Sequence, residues 1–410
     1  MTEKTNIPQG YKDSPLGIIP KEWEVKRLGD CTRLLTNGFV GVATPHYTDD
    51  PDGITYIQGF NVTEGGYNLT GIKKVTKEFH KKNSKSSLQD GDLLTIQTGD
   101  IGLTTIVPKE LEGSNCHALI ISRFKEGVLP RFMLYYYNST IGRHRFHIIE
   151  TGSTMKHINT GDLYKFYVPV PPIEEQKIII AIASLWDTAI EKQSELIEKL
   201  KLRKRALMQQ LLTVKKRLPG FCGEWKEVKL GDVFDERNET NRDDLPLLSI
   251  TGDKGVIYQS DSDKRDISND DKSKYKRICP NDIGYNTMRM WQGRSALSEL
   301  EGIVSPAYTI VTPRESINVK FMSMLIQQPR VVYDFWTHSQ GLVSDTLNCK
   351  YPDFCQVKVR IPTEEEQTAI ASVLVKADKE IELAKEKLAN LQSQKRGLMQ
   401  QLLTGKKRIK

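Results

Sequence analysis

The sequence contains two copies of one unit, and this internal repeat constrains the fold more than any other feature. The segment Lys204–Arg217 returns as Lys395–Arg408 with twelve of fourteen positions identical. A second anchor, Glu22–Asp30, returns as Glu224–Asp232, and shorter matches between the anchors keep the same order. A chain of 410 residues is long enough for two units that each bury a core. The sequence therefore predicts a duplicated fold with a pseudo-twofold relation.

Each copy ends in a long stretch whose apolar residues recur at alternating spacings of four and three. This pattern lasts for over four heptads, which predicts a coiled-coil seam rather than a surface helix. Pro172 and Pro362 stand where each helix can begin, and the helices are predicted to run about 40 residues, or about 60 Å. The seam comprises Ile179, Ile190, Ile197, Leu200, Leu207, Leu211, Ile370, Ile381, Leu388, Leu391, Leu398 and Leu402.

The two helices are predicted to pair with each other in antiparallel orientation, which suits the pseudo-twofold repeat. Pairing with a partner protein is the alternative. Gln193, Lys204 and Lys395 interrupt the seam, and polar residues at such positions fix the register at a cost in stability.

The chain ends resemble the junction between the copies. That junction, Lys215–Phe221, is similar to Lys406–Lys410 followed by Ile7–Tyr11. We therefore expect the ends to lie close together, giving a quasi-circular molecule, and a circular permutant opened near Pro219 to fold. The predicted segments are an N-terminal segment that pairs with the C-terminal end (1–20), a globular domain (21–171), a helix (172–217), a second globular domain (218–361) and a second helix (362–410).

The globular domains are predicted to be α+β with a mixed or antiparallel sheet. Short runs rich in β-branched residues alternate with Gly and Asn-Asp turns. One helix is predicted in each domain, Pro130–Asn138 and Val319–Gln327. The strand-like runs are Gly53–Gly59, Asp92–Gln97, Ala118–Ile121, Leu245–Ile250 and Ala307–Val311.

The composition excludes several classes of protein. No apolar run is long enough to span a membrane, and the N-terminus lacks the pattern of a signal peptide. Six scattered cysteines without a C-x-x-C pair predict reduced thiols in the cytoplasm and no metal site. Dinucleotide, P-loop and nucleophile-elbow motifs are absent, as is the Asn/Asp-Pro-Pro-aromatic motif of amino-methyltransferases, so catalysis is not expected.

The net charge of +7 permits a nucleic-acid partner without requiring one. A lysine-rich run in the first copy could contact phosphates; a solvated loop is the alternative. The candidate residues in this run are Lys73, Lys74, Lys81 and Lys82.

Turns that follow strand-like runs carry side chains able to read base edges, since Arg pairs with guanine and Asn or Gln with adenine. The alternative is that their glycines only mark hairpins. A further segment, Gly152–His157, precedes the first long helix. The candidates are Gln97 and Thr98 in the first copy, Asn286, Arg289, Gln292 and Arg294 in the second, and Lys156 and His157 in the further segment.

Over essentially its whole length the chain resembles the specificity subunit of type I restriction–modification systems. The resemblance rests on Ile19–Gly29, Gly152–His157, Val170–Gln176 and the duplicated Leu-Met-Gln-Gln-Leu-Leu-Thr helix ends. It implies two target-recognition domains separated by two antiparallel helices, and a subunit without catalytic activity or cofactor of its own. The implied partners are double-stranded DNA, two methyltransferase subunits that use S-adenosylmethionine, and motor–nuclease subunits that use ATP and Mg²⁺.

The resemblance implies a bipartite target in which each domain docks one half-site. The second copy departs from the first, because Gly341–Asn348 replaces the Gly-Ser-Thr-Met-Lys-His sequence. Unlike loops predict unlike half-sites, and hence an asymmetric target. The alternative function is a non-enzymatic coiled-coil scaffold whose globular domains bind proteins, which predicts weak DNA affinity with little dependence on salt.

Overall fold

The computed structural model describes residues 7–153, 156–252, 254–262, 268, 270–341 and 347–409. Its internal contacts divide the chain into two compact units. Unit 1 comprises Met1–Ser194 and Glu386–Lys410, and unit 2 comprises Glu195–Lys385. Each unit therefore contains one globular copy, the first part of one long helix and the last part of the other.

Helices account for the ends of each copy and for several short elements that cover the sheets. The helices are α1 (Leu28–Cys31), α2 (Lys77–Lys82), α3 (Pro130–Asn138), α4 (Thr140–Ile148), α5 (Thr160–Tyr164), α6 (Ile173–Leu211), α7 (Leu230–Val233), α8 (Val319–Leu325), α9 (Pro329–His338), α10 (Tyr351–Gln356) and α11 (Glu364–Leu402).

The strands are short, as expected for runs bounded by glycine and by Asn-Asp turns. In unit 1 they are β1 (Tyr11–Lys12), β2 (Ile19–Pro20), β3 (Glu24–Arg27), β4 (Thr32–Asn37), β5 (Ile54–Ile57), β6 (Val62–Thr63), β7 (Gly66–Tyr67), β8 (Lys73–Val75), β9 (Leu93–Ile96), β10 (Thr104–Ile106), β11 (Asn115–Cys116), β12 (Leu119–Phe124) and β13 (Tyr167–Val170). In unit 2 they are β14 (Lys226–Lys229), β15 (Phe234–Glu236), β16 (Leu248–Ile250), β17 (Val256–Tyr258), β18 (Lys276–Ile278), β19 (Ile283–Asn286), β20 (Ser295–Leu297), β21 (Gly302–Val304), β22 (Tyr308–Pro313) and β23 (Lys358–Ile361).

The same antiparallel four-stranded sheet occurs in both units. Its order is β10-β9-β12-β4 in unit 1 and β20-β19-β22-β15 in unit 2. A two-stranded ribbon also recurs, as β3 with β13 and as β14 with β23. The two units thus share one topology, as the repeat in the sequence predicts. The mixed α/β architecture agrees with the predicted fold class.

A second sheet lies beside the first in unit 1, where β5 pairs in parallel with β11 and antiparallel with β8. Its counterpart in unit 2 has two strands instead of three. Strand β18 pairs with β21, and Leu247 forms a single parallel bridge to Ile303. The lysine-rich run of the first copy occupies β8 and α2.

Each core includes residues from both long helices. In unit 1, Ile179 and Ala183 of α6 and Leu402 of α11 join the cluster around Trp23. In unit 2, Leu211 of α6 joins Ile370 and Leu374 of α11 around Phe321 and Phe354. Within each unit the beginning of one long helix packs against the end of the other, so the two segments run antiparallel there.

All twelve predicted seam residues are buried or half-buried. Those that are buried are Ile179, Ile197, Leu211, Ile370, Ile381 and Leu402, and those that are half-buried are Ile190, Leu200, Leu207, Leu388, Leu391 and Leu398.

The predicted helix Pro130–Asn138 has the bounds of α3, whereas Val319–Gln327 ends two residues earlier, at Leu325. The expectation of one helix in each globular domain was wrong. Helices α4 and α9 follow α3 and α8 and were not predicted from the sequence. None of the helices, as far as the chain is described, is long and apolar enough to cross a membrane.

Candidate nucleic-acid interface

In unit 2 a cavity of about 550 Å³ opens at one end of the four-stranded sheet. Strand β19 ends there at Asn286, β20 begins just after Arg294, and β22 begins at Tyr308. The cavity lining contains all four candidates that the sequence analysis selected in this copy, together with Thr251, Gly252 and Tyr308. The fold therefore brings Asn286, Arg289, Gln292 and Arg294 together around one concave surface.

The turn between β19 and β20 is held by its own hydrogen bonds. Asn286 Oδ1 accepts from the backbone N–H of Met288 at 3.0 Å, and Trp291 Nε1 donates to the Met288 carbonyl at 3.0 Å. Met290 is fully buried and anchors the turn, while Gly293 adopts a left-handed φ of 73° that favours glycine. This arrangement directs the side chains of Arg289, Gln292 and Arg294 outward, where all three are exposed.

The electrostatics of the cavity favour an electron-rich ligand. No aspartate or glutamate is among the described residues that line it. Tyr308 is half-buried, and burial raises the pKa of its phenol, which keeps the hydroxyl neutral and able to donate to the Ile250 carbonyl at 3.3 Å. Two guanidinium groups and two amides therefore face an opening with no carboxylate among its described residues.

Unit 1 places its candidates at the equivalent end of its sheet. Gln97 and Thr98 follow β9, and the Gln97 carbonyl accepts from Ile158 N at 3.0 Å. Thr98 forms an antiparallel bridge with His157. The two candidate segments, 60 residues apart in sequence, are thus adjacent in the fold. The same pairing recurs in unit 2, where Cys349 N donates to the Thr287 carbonyl at 2.8 Å.

The segment before α5 is a narrow loop closed by Thr151 and His157, whose backbones exchange two hydrogen bonds of 2.9 Å. Lys156 is exposed and pairs with Glu150 at 3.3 Å. Hydrogen bonds from His147 and Lys156 lower the pKa of the Glu150 carboxyl. Thr154 and Met155 of the predicted segment lie outside the described residues, as do 342–346 of its counterpart.

The lysine-rich run lies on a different part of unit 1. Lys73 and Lys74 are on β8, in the second sheet, and Lys81 and Lys82 are on α2. Lys74 donates to the Pro51 carbonyl at 2.7 Å, and Lys82 pairs with Glu78 at 2.9 Å. Lys73 and Lys81 are exposed and form no ion pair with the part of the chain that is described. These two are therefore the lysines best placed to contact a phosphate.

Two basic residues on β18 of unit 2 are paired within the fold. Arg277 pairs with both Glu239 and Glu301, and Lys276 pairs with Glu236 at 3.5 Å. The two copies therefore differ in where they present positive charge: unit 1 on β8 and α2, and unit 2 at the cavity.

One loop at the same end of the sheet in unit 1 was not predicted from the sequence. Residues 38–42 follow β4, and Val40 and Val42 are 64% and 75% exposed. Phe39 anchors the loop through hydrogen bonds with Cys116 and Ala118. The sequence signal was the Gly-Phe-Val-Gly-Val run, which resembles a buried strand and hides its exposure. In unit 2 the sequence analysis missed Gly252 and Tyr308, because neither is near the turn in sequence.

Among the residues that the structure describes, no group of three or more His, Cys, Asp or Glu side chains could hold a metal ion. The arrangement at each sheet end consists of hydrogen-bond donors and acceptors, joined in unit 2 by the guanidinium groups of Arg289 and Arg294. Such a set recognises a ligand by its edge and charge, which is the chemistry of a binding surface.

Comparisons with known proteins agree on one family. The family model "Type I restriction modification DNA specificity domain" matches residues 20–202. The type I restriction enzyme MjaVIII specificity subunit of Methanocaldococcus jannaschii is 23% identical to this chain, over 96% of this chain and 94% of that protein.

Two solved structures share the fold over nearly the whole chain. The HsdS subunit from Thermoanaerobacter tengcongensis has a TM-score of 0.52 at 18% identity and covers 94% of this chain and 98% of its own. A chain from a study of complex assembly and conformational transition in the type I R-M system has a TM-score of 0.61 at 17% identity, covering 94% and 99%.

Proposed function

We propose a function in DNA recognition from the premise that this chain belongs to the type I restriction–modification specificity subunits. This assignment confirms the resemblance found in the sequence. Relatives that match nearly the full length are named specificity subunits, so the chain is the non-catalytic subunit that recognises DNA and organises the complex.

The observation that carries the proposal is the equivalent placement of the two candidate turns. In both units the turn follows the second strand of the same four-stranded sheet and pairs with the segment before a short helix. We propose that each unit docks one half-site of a duplex with this end of its sheet. The target is then bipartite, with an uncontacted spacer, and asymmetric because the two turns present different side chains.

We further propose that α6 and α11 form an antiparallel coiled coil that acts as a ruler between the half-sites. Supporting ion pairs occur within each unit, between Lys395 and Asp187 in unit 1 and between Lys204 and Asp378 in unit 2. The two lysines are two of the three polar residues that interrupt the predicted seam, and each pairs with a carboxylate on the other long helix. Such pairs favour one register of the two helices over its neighbours.

Residues near the N- and C-terminal ends of the chain contact each other within unit 1. In unit 1 the Tyr11 hydroxyl donates to the Gly405 carbonyl at 3.1 Å, and Arg408 pairs with Glu22 at 2.7 Å. In unit 2 Arg217 lies beside the Gly223 carbonyl at 2.9 Å, at the internal junction.

We propose that the complex contains double-stranded DNA, two methyltransferase subunits and motor–nuclease subunits. In this proposal S-adenosylmethionine, ATP and Mg²⁺ bind to those partners, and this subunit holds no cofactor. We place the complex in the cytoplasm, where the scattered cysteines stay reduced.

The proposal is tested by measuring DNA affinity of the full chain, assembled with its methyltransferase subunits, across a salt series. Phosphate contacts release counterions, so log K should fall with log salt by about 0.9 per contact. Lys81→Ala should reduce this slope by about one unit. Lys82→Ala is the matched control, since that lysine already pairs with Glu78 and should change the slope less. Weak affinity that barely responds to salt would instead favour the protein-binding scaffold.

Methylome sequencing of a host that carries the complex, with and without this chain, gives the target. An asymmetric bipartite motif that depends on this chain is expected. An insertion of seven residues in each long helix keeps the seam in phase and adds about 10 Å per helix. The preferred spacer should then lengthen, and an unchanged motif would reject the ruler.

A further inference from the structure

We propose that Arg294, assisted by Arg289, is a specificity-determining residue of the second copy and reads guanine in the major groove. The inference rests on the proposed function and adds to it the base class that one half-site must contain. Guanine presents two acceptors, N7 and O6, on its major-groove edge, and one guanidinium can donate to both.

The two arginines differ from the other arginines described above in unit 2. Arg289 and Arg294 form no ion pair with any residue that the structure describes, and the described cavity lining has no carboxylate. An internal carboxylate would compete with a ligand for the guanidinium donors, and none is present among these residues. Six described arginines of the same unit are paired internally: Arg203 with Glu380, Arg217 with Glu366, Arg237 with Asp282, Arg242 with Asp244, Arg277 with Glu239 and Arg314 with Asp235.

The Arg294 guanidinium lies close to the backbone of Gly252. This glycine follows β16, and Arg294 passes directly over it, with the Arg294 Cζ atom 3.2 Å from the place where a Cβ atom would lie. A Cβ at this position would overlap Arg294 Nη1. The absence of a side chain at position 252 therefore leaves room for the Arg294 guanidinium in this position.

The neighbours of Arg294 favour a base edge over a phosphate. Asn286 and Gln292 add amide groups that both donate and accept, whereas a phosphate only accepts. The planar fork of arginine matches the paired acceptors of guanine. The mixture of guanidinium and amide groups is the set that base pairs containing guanine or adenine require.

The equivalent turn of the first copy lacks this chemistry. It carries Gln97, Thr98 and Asp100, and Arg143, which reaches it from α4, is paired with the Asp100 carboxylate. A carboxylate repels the acceptors of guanine. We therefore expect an unpaired arginine to recognise guanine only in the half-site that the second copy binds.

The test uses the full chain assembled with its methyltransferase subunits and a duplex that carries the methylated target. Each guanine is replaced in turn by 7-deazaguanine, which lacks the N7 acceptor. With the wild-type chain, at least one replacement in one half-site should weaken binding by roughly 5- to 150-fold. Arg294→Lys keeps the charge but removes the fork, so it should lose a similar factor on the normal target and become insensitive to that replacement.

Gly252→Ala provides a second variant that moves the guanidinium without removing it, and it should reproduce the loss in part. Arg314→Lys is the matched control, since Arg314 pairs with Asp235 away from the cavity. Thermal unfolding of each variant alone verifies that it is folded. Methylome sequencing of Arg294→Lys should show relaxed sequence preference within one half-site only.

The outcomes separate this inference from the proposed function. An equal loss for Arg294→Lys on specific and unrelated duplexes means a phosphate contact and overturns the inference, while DNA recognition stands. Insensitivity of the wild-type complex to every 7-deazaguanine replacement also overturns it. Absence of salt-dependent DNA binding by the wild-type complex would overturn the proposed function itself.

Discussion

Replacement of Arg217 by methionine should destabilise unit 2 more than the equivalent Arg408→Met change destabilises unit 1. Arg217 makes two hydrogen bonds of 2.6 Å to the Glu366 carboxylate, and Glu366 is only 2% exposed. Removal of one partner from a buried pair leaves an unpaired charge and costs about 3–5 kcal/mol. Because the Arg217 side chain is 24% exposed, we expect the lower end, about 3 kcal/mol.

The equivalent pair in unit 1 has a second donor. Arg408 pairs with Glu175 at 2.9 Å, and Trp23 Nε1 also donates to the same carboxylate at 2.9 Å. A hydrogen bond to a charged group is worth about 1.5–3 kcal/mol, so it should offset much of the loss in Arg408→Met. In unit 2 the corresponding Trp225 Nε1 is buried without a hydrogen-bond partner in the described structure. The two copies thus have equivalent residues at these positions, but the buried carboxylate of unit 1 accepts a tryptophan hydrogen bond that the buried carboxylate of unit 2 lacks.

The assay is hydrogen exchange along a urea series, because peptides from each unit report that unit's midpoint separately. With a urea m-value of about 2 kcal/mol/M, a loss of about 3 kcal/mol lowers the unit 2 midpoint by about 1.5 M. The Arg217→Met/Glu366→Gln double variant is the control, and it should recover much of the loss because the buried charge is gone. Equal midpoint shifts for the two single arginine variants would refute the reasoning.

Two further predictions concern packing and thiol chemistry. Gly142→Ala should destabilise unit 1 by about 1–3 kcal/mol in urea denaturation, because the added Cβ would overlap the Tyr136 carbonyl oxygen. Gly161→Ala is the matched control. It has open space around it and should be neutral or slightly stabilising. Labelling with a chromogenic disulfide at pH 8 should modify exposed Cys222 rapidly and Cys349 only after unfolding. Burial raises the pKa of the Cys349 thiol to about 12, so the reactive thiolate is scarce at that pH. Rapid modification of Cys349 in the folded chain would contradict its burial.

The repeat and the long helices could be predicted from the sequence because their signals are local and periodic. The expected helix starts at Pro172 and Pro362 lie within two residues of the starts of α6 and α11. A seam of 39 residues repeats its spacing often enough to be recognised. Helices α4 and α9, with nine and ten residues, were not predicted, although α3 and α8, which are no longer, were.

The candidate turn residues were chosen by residue type alone, and their mutual arrangement came from the fold. Asn286, Arg289, Gln292 and Arg294 share one turn, so their proximity was expected. The contact between Gly252 and Arg294 was not expected from the sequence. Gly252 lies over forty residues before Arg294, and strand β16 brings it close only in the folded chain. In the same way, Thr98 and His157 became neighbours only when the chain folded.

The sequence by itself therefore determined the duplication, the helical frame and the kinds of side chain at each turn, because each depends on spacing within a few residues. Only the tertiary structure decided which charges are available to a ligand. Arg277 and Arg294 are both arginines and cannot be told apart by residue type. In the fold Arg277 is paired with Glu239 and Glu301, whereas Arg294 lines an open cavity. The difference arises because pairing depends on which carboxylates the sheets bring within a few ångströms, and that distance is a property of the fold.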